Sequence, residues 1–182
     1  MWIFDIFKKK KHADTLRVPY NRKEELDLLE LANECVSRLS KEFKPLSSIG
    51  KAEALLFFSH IVVSLPELSE EVIMGDMEDR YMLKLCDSIK PIFKKRDFYS
   101  FANDRVVFYE RQYEKIKREK YYTPMFIYNA FYMNPGCDDP GYLKEFREPP
   151  TTLLMLQAKL YELENYIRII REKIYYNYHF RH

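Results

Sequence analysis

Residues 54–65 read ALLFFSHIVVSL, a run interrupted only by Ser59, His60 and Ser64. A surface helix carries an apolar stripe and a polar face, so a helix that is apolar all round is a buried one. The run is too short to cross a bilayer, which takes about 20 apolar residues. Lys51 and Glu53 close it in front and Pro66 closes it behind. The rest of the chain therefore has to supply enough amphipathic helices to surround a central helix over about 51–65.

Composition is compatible with that demand. A chain of 182 residues is the length of one domain. At 47% hydrophobic and 32% charged it is globular in type, neither disordered nor membrane-like. With only four glycines there are few tight turns to make, which favours long helices over a β-sandwich. The fold class these features predict is all-α: a single-domain bundle of five or six helices around the buried central one. Residues 1–20 read as a basic, flexible tail and 21–178 as the helical domain, with an irregular loop at 123–150.

The predicted helices follow in order. Over 22–43, Leu26, Leu29, Ala32, Val36, Leu39 and Phe43 recur at spacings of three and four and share one face. Asn21 is placed as its N-cap, and Pro45 ends it. Pro66 fits the first turn of a third helix running to about Ile89, divided near Gly75 and punctuated by Pro91. A fourth helix spans about 97–122. Its tyrosines 99, 109 and 113 fall with Ala102, Val106 and Ile116 on one face, and Phe98, Phe101, Arg105, Phe108 and Gln112 form a neighbouring face. The stretch 123–150 holds five of the nine prolines. Its first part, PMFIYNAFYM, fits a short helix and the remainder reads as loop. A long loop within a compact domain is often functional. The last helix, 152–177, carries Leu153, Leu156, Leu160, Leu163, Ile167, Ile170 and Ile174 as a heptad seam. That seam packs either within its own chain or against a second copy in a homodimer.

Charge is unevenly spread. Residues 1–20 carry a net of +3, 21–89 a net of −6 and 90–122 a net of +5. The acidic and basic stretches suit each other, within the chain or across an interface, where such charges set orientation more than affinity. On the basic helix, Arg111, Lys115 and Arg118 form a patch interleaved with tyrosines, as nucleic-acid binders use. The tyrosines fall at core spacing, however, and the overall pI of about 8.3 is below that of a nucleic-acid-binding domain. At the N-terminus, Trp2, Ile3, Phe4 and Phe7 precede Lys8–Lys11. The order is the reverse of a secretory signal and allows at most weak peripheral contact of residues 1–11 with a membrane.

Catalytic signatures are missing. The chain has no GxxxxGK[ST] loop, GxGxxG, GxSxG or HExxH, and no Glu lies three residues before a histidine. Cys35, Cys86 and Cys137 are scattered and odd in number, which suggests neither a zinc site nor a disulfide framework and points to the cytoplasm. His60 is expected as a neutral, buried polar residue; Ser59 beside it points about 100° away, so the two make no dyad. In the loop, Asp138 and Asp139 lack the spaced ligands of a calcium site and Cys137 lacks a visible base. No metal and no cofactor is expected. Phe126, Tyr128, Phe131 and Tyr132, with Cys137, Asp138 and Asp139, are the candidate interaction surface, since Tyr and Phe are favoured at interface cores. The expected function is protein–protein interaction, as an accessory or regulatory module. The alternatives are a small-molecule-binding protein or enzyme with the 123–150 loop as a lid near His60, and nucleic-acid binding through helix 97–122.

Overall fold

A computed structural model of the chain describes residues 16–17, 22–64, 72–73, 75–119, 124–140 and 148–179. The apolar run lies in α2 (Ser48–Ser64), which follows α1 (Arg22–Glu42) after a five-residue link. Then come α3 (Gly75–Phe93), α4 (Phe98–Glu119), the short α5 (Pro124–Tyr128) and α6 (Pro150–His179). A π-helical turn, Asn129–Met133, continues α5. The fold is an all-α bundle. Besides the helices, the described residues hold one parallel pairing of two residues a side, β1 (Leu16–Arg17) with β2 (Val72–Ile73).

α2 is the hub. It packs against α1, α3, α4, α6 and the π-turn. Ala54, Leu56, Phe57, Phe58 and Val62 are fully buried, so every side of the helix meets protein. Phe57 makes edge contacts with Phe58, Tyr109 and Phe131, at centroid distances of 5.3, 5.4 and 5.7 Å. Burying side chains of this size contributes about 1.5–3 kcal/mol each, and aromatic edge geometry adds to it.

The outer helices follow their patterns with some changes. α1 turns Leu28, Leu31, Ala32, Cys35, Val36 and Leu39 inward. Leu26, expected on that face, is 38% exposed. Asn21 lies outside the described residues, as do Pro66 and the N-terminal residues 1–11. Within the predicted third helix, Val72–Ile73 instead form β2, and α3 begins at Gly75. Pro91 sits within the last turn of α3, and the helix ends when Lys94 takes a left-handed φ of 52°, the usual conformation just past a helix C-terminus. On α6 the heptad seam faces the core: Leu156, Leu160, Leu163 and Ile167 are at most 1% exposed. Within the single chain, then, the central residues of the seam are packed into the core. Among the described residues no helix is long and apolar enough to cross a membrane.

Candidate functional site

The polar centre of the molecule is a buried ion pair. Glu53, on the first half of α2, and Arg105, on α4, are 0% and 1% exposed. Glu53 Oε1 accepts from Arg105 Nε at 2.9 Å and lies 2.9 Å from its Nη2. The same oxygen accepts from the Gly136 amide at 2.9 Å, and Oε2 accepts from the Tyr109 hydroxyl at 2.5 Å. Arg105 Nη2 also donates to the Cys137 carbonyl, and its guanidinium lies 4.9 Å from the Phe101 ring centroid. Burial pushes the Glu53 carboxyl above its ordinary value, with Arg105 and the donors pulling the other way. Burial alone lowers the Arg105 value, but the carboxylate outweighs it and holds the guanidinium charged. The Tyr109 hydroxyl is driven well above its usual range, by burial first and Glu53 second. A buried pair of this kind is held by geometry: each lone pair and N–H needs its partner.

That pair anchors the loop. Asn134-Pro135-Gly136-Cys137 is a tight turn, closed by the Cys137 amide donating to the Asn134 carbonyl at 3.1 Å. Gly136 takes φ +78°, which Pro then Gly at these two positions prepares. Asn129, buried in the π-turn, donates to the Pro140 carbonyl at 3.1 Å and accepts from Asn134 Nδ2 at 2.8 Å. Residues 134–140 are therefore stitched to α2, α4 and the π-turn.

The residues singled out as an interaction surface have different fates. Tyr128 and Phe131 are fully buried, and Phe126 and Tyr132 are half-buried. Phe131 lies on Phe57 of α2, while α5, which carries Phe126 and Tyr128, packs against α6, so the four rings are not one exposed patch. Lys44 reaches Tyr128 Oη at 2.5 Å and lies over both tyrosine rings. Cys137 is half-buried, with Sγ 3.6 Å from Arg105 Nη2. Asp138 is exposed and paired with Lys95 Nζ at 2.6 Å, which holds its carboxyl below the usual range. Asp139 is exposed. Among the described residues no three His, Cys, Asp or Glu are grouped to hold a metal. His60 is 4% exposed, and its neighbour Ser59 accepts from the Tyr81 hydroxyl at 2.8 Å. Arg111 is exposed; the side chains of Lys115 and Arg118 lie outside the described residues. Cys35 and Cys86 are buried, and burial pushes both thiols up to about 12.

Two surface features remain. Between α1, α2 and α3 runs a groove of about 570 Å³, with Val36, Ala52, Leu55 and Ile89 in its walls and Lys41 and Lys51 among its lining residues. The second feature is the outer face of α6. Leu154, Met155, Ile169 and Tyr176 are 62, 63, 53 and 47% exposed. At about 100° per residue, Leu154, Ala158, Tyr161, Asn165, Ile169, Glu172 and Tyr176 fall within about 40° of one line. That line is opposite the buried seam of Leu156, Leu160, Leu163, Ile167 and Ile174. The bundle uses the seam; the opposite line is mixed, with Leu154 near its start, Ile169 and Tyr176 near its end, and exposed Asn165 and Glu172 among them.

Neither a family model, nor a curated protein, nor a solved structure matches this chain.

Proposed function

We propose that the protein works by holding a protein partner against the outer face of α6, as an accessory or regulatory module. One observation carries the reading: four large apolar side chains, Leu154, Met155, Ile169 and Tyr176, are exposed on the side of α6 away from the core. Apolar residues exposed singly are ordinary, but Leu154 with Met155 and Ile169 with Tyr176 put two apolar pairs on the outside of one helix. Tyr and Met are also among the residues enriched in interface cores. The anchored loop supports the assignment indirectly. Tyr128 and Phe131 are spent in the core, and four of the nine large apolar side chains exposed among the described residues lie on α6.

Site-specific photo-crosslinking tests this. A photoreactive side chain at Ile169 should give an adduct of discrete mass in the native setting, and the same group at Glu30, exposed on α1, should not. The adduct should vanish when Leu154→Lys is added. No adduct from positions 154, 169 or 176 would overturn the reading.

A further inference from the structure

The groove between α1, α2 and α3 has an apolar floor and a cationic end. Val36, Ala52, Leu55 and Ile89, in its walls, are at most 8% exposed. Lys41 and Lys51, which also line it, are exposed, and none of its lining residues is acidic. α1 and α2 are joined by a short link and pack side by side, so they run antiparallel. Lys41 is one residue from the end of α1 and Lys51 three from the start of α2, which sets both beside the link. Val36 and Leu55 lie six and seven residues from those same ends, further along the groove.

The two lysines also lack counter-charges. Lys44, Lys84, Lys95 and Lys159 each reach a carboxylate. Among the described residues Lys41 and Lys51 form no ion pair. The acidic residues closest to them in sequence are already engaged: Glu42 pairs with Arg38 and Lys159, and Glu53 is buried with Arg105. We propose that the groove binds a small amphiphilic anion. Its carboxylate or phosphate lies between Lys41 and Lys51, and its apolar body runs along Val36, Leu55 and Ile89.

Size selects a small molecule over a protein segment. A volume of about 570 Å³ falls within the roughly 300–1,000 Å³ of small-ligand sites. The α1 side of the groove, from Asn33 to Lys41, is about 12 Å of helix. Between helices about 8–10 Å apart, that is a strip on the order of 100 Å², far below the ~800 Å² per partner of a stable protein interface. An apolar chain of about eight carbons, with bonds near 1.5 Å, matches the length.

Titration of the full chain with octanoate and with octyl phosphate, followed by amide NMR, tests this. One or both should saturate with Kd of about 0.1–1 mM, with shifts centred on residues 37, 52 and 89. The tighter of the two identifies the head group. Octanol, acetate and inorganic phosphate, each lacking one half of the ligand, should bind at least about 10-fold more weakly. Lys41→Gln with Lys51→Gln should weaken octanoate by about 10-fold and leave octanol unchanged. Added salt should act in the same direction on the same compounds. Ser37→Trp, a change at an exposed lining position, should block binding with the urea midpoint unmoved. The proposal is overturned if neither octyl anion saturates below about 10 mM, if octanol binds as well as octanoate, if the lysine variant binds octanoate unchanged, or if the shifts centre elsewhere on the molecule. Crosslinking at Ile169 reads a different face, so either result there leaves this one standing or falling by itself.

Discussion

Glu53 and Arg105 are the residues on which the interior depends most. Each is buried, and each is tolerable only because the other is present. Arg105→Leu leaves the Glu53 carboxylate in the core without its cation and should cost about 3–5 kcal/mol at neutral pH, measured by urea unfolding. The sign of its pH dependence is fixed. Without Arg105 the folded-state carboxyl rises further above its unfolded value, so the folded variant takes up a proton that the unfolded chain does not. Its stability should then increase as pH falls from neutral to about 5, and the deficit should narrow. A deficit that is constant over that range would mean that Glu53 is not the group left uncompensated. The pair was only half legible in the sequence. Glu53 reads as the front boundary of the apolar run, and Arg105 falls at core spacing between Phe101 and Phe108. Two charges 52 residues apart carry no mark in a single chain that they meet.

Among the elements, periodicity located each long helix but not always its phase. In α1, LDLLEL offers leucines at both 26/29 and 28/31. Both fit a helical repeat, and contact with α2 selects the second pair. The turn at 134–137 was readable as a turn, because Pro followed by Gly has backbone preferences of its own. The π-turn before it was not readable, since it is imposed by packing. That packing is close: a Cβ added at Gly50, in the first turn of α2, would lie 2.4 Å from the Phe131 carbonyl oxygen. Backbone cannot yield as a side-chain tip can. Gly50→Ala should therefore push the π-turn away from α2 and cost about 1–3 kcal/mol, with amide exchange quickening first over 129–134. Unchanged stability would show that the two backbones are not in contact.

For the whole molecule, one all-apolar stretch was enough to predict a bundle around a central helix, because such a stretch has no other stable surroundings in water. What the bundle leaves outside was harder to see. Leu154, Met155 and Ile169 lie off the heptad seam, a sign of contact on a second side, but hydrophobicity alone cannot tell a core contact from an interface. Unfolding of dilute protein separates the inner and outer faces of α6 directly. Leu163→Ala, on the inner face, should lose about 2–5 kcal/mol, as truncated core leucines do. Ile169→Ala, on the outer face, should lose no more than about 0.5 kcal/mol, as surface substitutions do. Equal losses at the two positions would contradict the account, because they would mean that the outer face of α6 is already packed within the single chain.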